Sequence, residues 1–218
     1  MAIDGPTGAG KSTVARALAD ALGFTYLNTG AMYRAAAIAA RRAGLDPDAP
    51  GVEAQLVPML AGLKLELARG HVLLDGEDVA PLLSDPAISD LASRLSALAI
   101  VRARMLELQR AAGANGAIVM EGRDIGTVIF PGAEFKFFLG ADLPARASRR
   151  YQELISKGVD TDLGTVRAEI EARDRRDQER ALAPLKPAPD AIMIDSTHAS
   201  VAEVVARLVE LINARKPN

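Results

Sequence analysis

The chain has no cysteine, which excludes disulfides and thiolate metal sites and is neutral about compartment. Neither sign of charge dominates: 26 Lys and Arg against 28 Asp and Glu leave a net charge of −2. There is therefore no global attraction toward nucleic acid or an anionic membrane. No apolar run approaches the roughly 20 residues that a membrane span needs. The first residues lead directly into a glycine-rich loop, leaving no room for a signal peptide, so a cytoplasmic location is expected. Internal repeats, low-complexity tracts and an exposed heptad seam are also missing, which favours a monomer. Lysine is scarce beside arginine, 6 against 20. Guanidinium forks suit phosphate and carboxylate ligands, but a GC-rich genome produces the same bias, so only the positions of the arginines carry weight. At 218 residues the chain is long enough for one buried core with excursions.

What is present centres on Gly5-Pro6-Thr7-Gly8-Ala9-Gly10-Lys11-Ser12, which fills every fixed position of the phosphate-loop pattern G-x-x-x-x-G-K-[ST]. In that pattern glycines let successive backbone N–H groups turn inward around a polyphosphate, and the following helix points its positive end at the same anion. Lys11 reaches the β- and γ-phosphates and Ser12 ligates Mg²⁺. With Thr13, these residues are the candidate ATP site. Behind the loop, Val14, Leu18 and Leu22 form one apolar helix face and Gly23 stands at the C′ position. Ahead of it only Met1-Ala2-Ile3-Asp4 is available for a strand, so either the first strand is clipped or the natural chain begins upstream.

Taken in order, Thr25–Leu27 reads as a strand, Thr29-Gly30 as a break and Ala31–Ala43 as a helix. Such alternation predicts a parallel sheet covered by helices. From Asp46 to about Asp85 Pro47, Pro50, Pro58 and Pro81, with Pro86 just beyond, crowd the chain and long helices are not expected. There Leu63–Leu67 and His71–Leu74 read as strands of a small antiparallel sheet, with turns at Arg69-Gly70 and Asp75-Gly76. His71 reads as a half-exposed strand residue. A helical stretch from Ala87 to about Ala111 is broken at most once. Ala117–Met120 reads as a buried parallel strand ending in Glu121-Gly122-Arg123-Asp124, where open α/β sheets bind ligands. Glu121 there is either a Walker B-like acid acting on Mg²⁺ through water, a cap, or an ion-pair partner. Phe135–Leu139 is the next strand. Two helices follow, from Pro144 to Ile155 and from Leu163 to Arg180, with five arginines in the last fourteen positions; they read as a mobile lid. Ala191–Asp195 reads as a last buried strand, Ser200–Glu203 as a capping box opening a terminal helix, and Lys216-Pro217-Asn218 as a frayed end.

None of the six lysines has Asp two residues later, so the guanine-reading motif of a GTPase is missing. A small α/β chain with an insert and an arginine-rich lid fits phosphoryl transfer from ATP to a small molecule, where positioning and cationic stabilisation dominate and a closing lid excludes water.

The chain resembles bacterial cytidylate kinases over nearly its whole length. The likeness rests on Ile3-Asp4-Gly5-Pro6 through Ser12; Leu27-Asn28-Thr29-Gly30-Ala31-Met32-Tyr33-Arg34; Glu121-Gly122-Arg123-Asp124-Ile125-Gly126-Thr127-Val128-Ile129-Phe130-Pro131; and Arg173-Asp174 through Arg180 with Ala183-Pro184-Leu185-Lys186-Pro187. It implies an α/β phosphate-loop core over 1–45 and 86–218, a nucleoside-monophosphate insert over 46–85 and a lid over 150–163. It further implies that Arg34 and Arg123 clamp the CMP phosphate beside Thr29 and Tyr33. Ser93, Arg102 and Asp124 would read cytosine. Arg173, Asp177 and Arg180 would hold ribose or deoxyribose, and Arg149 and Arg176 the ATP phosphates. Thr29 and Glu121 stand where the family commonly has Ser and Asp, and Arg175–Glu179 departs from the usual D-R-D-x-x.

The expected activity is ATP-dependent phosphorylation of CMP and dCMP. A UMP- or AMP-preferring kinase, a nucleotide-gated binding module and a shikimate-type small-metabolite kinase remain as alternatives.

Overall fold

The computed structural model describes residues 1–68 and 71–215. A strand, β1 (Ala2–Asp4), leads into the glycine loop and α1 (Lys11–Leu22), followed by β2 (Thr25–Asn28) and α2 (Thr29–Arg42). Then come α3 (Val52–Gly62), the short strands β3 (Leu65–Ala68), β4 (His71–Leu74) and β5 (Glu77–Asp78), and helices α4 (Pro86–Leu95) and α5 (Ala99–Gly113). The rest is β6 (Ile118–Gly122), β7 (Lys136–Gly140), α6 (Leu143–Ser156), α7 (Leu163–Glu179), β8 (Ile192–Asp195) and α8 (Val201–Arg215). The chain divides into two compact units, Met1–Leu27 with Gly116–Asn218, and Asn28–Asn115.

The first unit is built on a five-stranded sheet in the order β2-β6-β1-β7-β8. β1 is its centre: Ile3 pairs in parallel with Glu121 on one side and Phe137 on the other. Three residues suffice for a strand here because both neighbours supply backbone partners and all three side chains are buried. Ile3, Val119, Phe137 and Leu139 pack with Val14 and Leu18 of α1 and with Val204, Leu208 and Ile212 of α8. Each fully buried large side chain contributes about 1.5–3 kcal/mol of transfer free energy. Gly23, at φ 67, ends α1 as read, its N–H bonding back to the last turn. A separate small cluster, Ala147, Leu154, Val166 and Ile170, joins α6 to α7.

In the second unit α2 packs along α4 and α3 along α5, beside the antiparallel sheet β3-β4-β5. Asp75 (φ 52) and Gly76 (φ 85) make the β4–β5 turn with both central residues left-handed. Exposed ion pairs, among them Arg41–Asp85 and Arg42–Glu77, contribute at most about 1 kcal/mol each.

Three expectations are corrected. The stretch from 46 to 85 does contain a helix of some length: Val52, Leu56 and Leu60 bury one face of α3 in spite of Pro58 inside it. Three turns of apolar spacing outweigh the one backbone bond that proline removes. Thr29-Gly30 is no break, because Asn28 caps α2 by accepting the Ala31 N–H and the helix starts at Thr29. The strand β8 is not buried but lies at the sheet edge, with Met193 60% exposed. The turn expected at Arg69-Gly70 and the frayed end at Lys216–Asn218 lie outside the described residues.

Candidate active site

The phosphate loop is shaped by what its glycines leave out. A Cβ on Gly5 (φ +150) would sit 2.0 Å from the Leu139 carbonyl oxygen, and one on Gly8 (φ +77) 2.9 Å from that of Arg146. Gly10 (φ 85) begins α1 with no side-chain cap and no acid in the first turn, so the positive end of the helix faces the loop uncompensated. Lys11 is buried and donates to the Pro6 carbonyl at 2.7 Å. Burial, seconded by the Arg123 charge, pushes its pKa down to about 7. A polyphosphate supplies the charge that this lysine lacks, so the loop fits the ATP phosphates. Pro6 and Ala9 complete the turn, with Ala9 buried, while Ser12 and Thr13 are exposed on the first turn of α1.

For a cation, the chemistry of the donor set is the relevant test. Mg²⁺ keeps most of its waters and takes few protein ligands beside phosphate. The Ser12 hydroxyl and the Glu121 carboxylate suit that role. Glu121 is buried and accepts the Tyr26 hydroxyl at 2.7 Å. Burial, together with the Glu121 charge, raises the Tyr26 pKa, so Tyr26 stays a donor.

Around this loop the first unit gathers Arg123, Asp124, Arg173, Asp177 and Arg180. Arg123 donates from Nε to Asp177 Oδ2 at 2.8 Å, from Nη2 to the Thr7 hydroxyl at 2.9 Å and from Nη1 to the Gly122 carbonyl at 3.3 Å. A guanidinium has five N–H donors, so one on each terminal nitrogen is left by these bonds. Asp177 opposes Arg180 Nη1 at 3.9 Å, and Asp124 opposes Arg180 Nη2 at 3.8 Å. Burial raises the Asp177 pKa, but the charges of Arg123, Arg173 and Arg180 outweigh it and hold the carboxyl below its ordinary value. Arg173 and Asp177 both act electrostatically on Lys11, so the residues implied for sugar and phosphate share one charge network with the loop. Arg149 is turned to the Ser196 and Thr197 carbonyls, and the Ser196 hydroxyl lies 3.0 Å from the Ala9 carbonyl. That places Arg149 one bonded residue away from the loop. Arg176 is exposed on α7.

The second unit holds the other implied residues. Thr29 is buried in the first turn of α2, with Tyr33 and Arg34 one turn on. A Cβ on Gly30 would lie 3.4 Å from Arg34 Nη1, so the guanidinium folds back over the positive end of its own helix, as an anion site requires. Ser93 lies in the last turn of α4, with its hydroxyl buried and without a hydrogen-bond partner among the described residues. Arg102 on α5 reaches the Ser96 carbonyl at 3.4 Å.

Sequence reasoning missed four residues that shape the loop. Asp4, 4% exposed, accepts the Ile125 and Gly126 N–H groups, each at 2.8 Å, and so ties the end of β1 to the π-helical turn Ile125–Ile129 that follows Asp124. Arg146 and Asp174 form a buried ion pair that grips the Thr7 peptide: Arg146 donates to its carbonyl at 3.0 Å and Asp174 accepts its N–H at 3.3 Å. Tyr26 orients Glu121. One signal was available: Asp174 follows Val166 and Ile170 at helical spacing, an acid on an apolar stripe. His71 pairs with Asp78 of β5 at 2.6 Å, and the pair is exposed.

A family model for cytidylate kinase matches residues 1–214. The chain belongs to the cytidylate kinase family. Cytidylate kinase from Syntrophotalea carbinolica is 48% identical over 220 residues, 99% of this chain and 92% of that one. That of Geobacter sulfurreducens is 45% identical, covering 99% and 93%, and that of Pelotomaculum thermopropionicum 48% identical, covering 98% and 96%. A Thermus thermophilus crystal structure with TM-score 0.50 and 22% identity, covering 100% of this chain and 97% of that one, shares the fold. As a cytidylate kinase family member the chain is a phosphotransferase that uses a nucleotide, with the expected α/β architecture of a parallel sheet flanked by helices. No helix among the described residues is long and apolar enough to cross a membrane.

Proposed function

We propose that this chain transfers the γ-phosphoryl group of ATP, with Mg²⁺, to CMP and dCMP, giving CDP and dCDP, as a cytoplasmic monomer. The family match over residues 1–214 carries the reading. In the transfer an oxygen of the CMP phosphate bonds to the γ-phosphorus as the bond to the β-phosphate oxygen breaks, and ADP leaves. Mg²⁺ bound by Ser12, and through water by Glu121, would neutralise charge on the phosphates. Lys11 and the loop of residues 5–13 hold the donor, through backbone N–H groups other than those of Pro6, which has none, and Thr7, whose N–H is given to Asp174. Arg149 and Arg176 stabilise the charge that spreads over the transferring oxygens.

On the acceptor side Arg123 presents its two remaining N–H groups to the CMP phosphate, Arg34 presents its guanidinium, and Thr29 and Tyr33 add hydroxyls. Cytosine offers an amino donor beside a ring-nitrogen and a carbonyl acceptor. Asp124 accepts from the amino group, whereas Arg102 and the Ser93 hydroxyl serve the acceptors. Uracil has a carbonyl where cytosine has the amino group, and so opposes Asp124. Arg173, Asp177 and Arg180 hold the sugar. We assign the moving parts to 46–85 on the monophosphate side and 150–163 on the lid side, with 1–45 and 86–218 as core.

The test is a coupled ADP-release assay with ATP, Mg²⁺ and CMP, dCMP, UMP, AMP, GMP or shikimate. Turnover confined mainly to CMP and dCMP is expected. Turnover on another acceptor moves the specificity assignment, and no acceptor-dependent turnover overturns the kinase reading. Asp124→Asn is expected to raise KM for CMP far more than for ATP; equal losses would remove Asp124 from the cytosine site.

A further inference from the structure

Resting on the assignment of Arg123 to the acceptor phosphate, we propose that Thr7 is a positioning residue that ties the ATP loop to the acceptor clamp, so that each substrate sets the grip on the other. Residue 7 occupies an unspecified position of the phosphate-loop pattern, where ATP binding makes no demand on the side chain. Yet each of its polar groups is bonded to a different element. The N–H donates to Asp174 of α7 at 3.3 Å, the carbonyl accepts from Arg146 of α6 at 3.0 Å, and the hydroxyl accepts from Arg123 Nη2, just past β6, at 2.9 Å.

The first two bonds run through the backbone and survive any substitution that keeps the loop shape. The third depends on the hydroxyl alone. On its far side Arg123 is held by Asp177 through Nε at 2.8 Å, and by the Gly122 carbonyl at the longer distance of 3.3 Å through Nη1, so the Thr7 bond, at 2.9 Å, is the shorter of the two that hold its terminal nitrogens. Any adjustment of the loop around polyphosphate moves the hydroxyl, and the guanidinium moves with it. Coupling of this kind is reciprocal: ATP tightens CMP by the factor that CMP tightens ATP.

The experiment compares Thr7→Val, which has the same shape and no hydroxyl, with Thr7→Ser, which restores it. The readouts are ATP affinity without acceptor, CMP affinity with and without adenylyl imidodiphosphate, and KM and kcat. For Thr7→Val, ATP affinity stays near wild type while KM for CMP rises about ten-fold, the effect of one hydrogen bond to a charged group. The analogue no longer tightens CMP, and Thr7→Ser restores both. A wild-type CMP KM in Thr7→Val, an equal loss of ATP and CMP affinity, or a Ser variant that behaves like Val would each overturn the proposal. If the wild-type chain does not turn over CMP at all, the functional reading fails separately. The bond is then read by thermal unfolding of Thr7→Val, Arg123→Met and the double variant, where simple additivity would overturn it.

Discussion

Lys11 lies at the end of a chain of causes that starts with burial. Its ammonium, moved from the ordinary 10.5 to about 7, is held by the unfolded chain to higher pH than by the folded one. This group therefore makes folding more favourable as pH rises between those values. A bound polyphosphate reverses the shift, so ATP binding near pH 8 takes up close to one proton, about the full charge of one lysine. Calorimetry in Tris and in HEPES measures this as a difference in apparent enthalpy, which Lys11→Met abolishes; a buffer-independent enthalpy in the wild type would contradict it. Asp4 has the opposite sign. Burial, against its two backbone bonds, raises it from 3.8 to about 6. Its contribution is fully present below 3.8 and is lost as pH rises through 6. Asp4→Asn carries no titratable group and is expected to remove that slope, so that urea unfolding at about pH 4 and at about pH 7 differs less for the variant than for the wild type. The same pH dependence in both would contradict the burial of an ionisable Asp4. Lys11 was legible in the sequence because its motif has a fixed spacing. Asp4, Arg146 and Asp174 were hidden because the backbone groups they hold, at Ile125, Gly126 and Thr7, lie more than a hundred residues away along the chain and only the fold brings them near.

Among the elements, the phosphate loop separates two effects of glycine. At Gly5 a side chain has no room, because the obstacle 2.0 Å away is the backbone of β7. At Gly10 nothing lies within 4 Å, and a side chain meets only the left-handed φ of 85. Gly10→Ala is therefore expected to fold with a loss of about 1–2 kcal/mol, while Gly5→Ala separates β1 from β7 and loses both cooperative unfolding and ATP binding. Similar melting of the two variants would show that crowding is not what selects glycine at position 5. Elements with an apolar period, such as α1 and α8, were legible from that period. The helix α3 was not, because prolines mask the spacing of Val52, Leu56 and Leu60. The edge position of β8 was also hidden, since an apolar run looks the same whether one face or both are covered.

For the whole molecule, the first unit includes, among the described residues, two apolar clusters of very different size, and this sets a hierarchy of opening. The hairpin of α6 and α7 rests on Ala147, Leu154, Val166 and Ile170, far less than the cluster around β1, α1 and α8. Hydrogen exchange is expected to show α6 and α7 opening at lower free energy than β1 and β7. ATP should slow exchange in the hairpin, because Arg146 and Asp174 grip the loop that ATP organises. A single opening energy shared by α7 and β1 would contradict this. The parallel sheet could be anticipated from strand and helix alternation. The charge network on top of it came from the family likeness of the motifs, and its bonds from the fold alone. The bonding of Thr7 also bears on protein engineering. A phosphate loop transplanted from another kinase would keep the Arg146 and Asp174 anchors whatever its residue 7. With a serine or threonine there the chimera should transfer phosphate normally. With any other residue it should load ATP and leave the acceptor loosely held, so that water competes for the phosphoryl group.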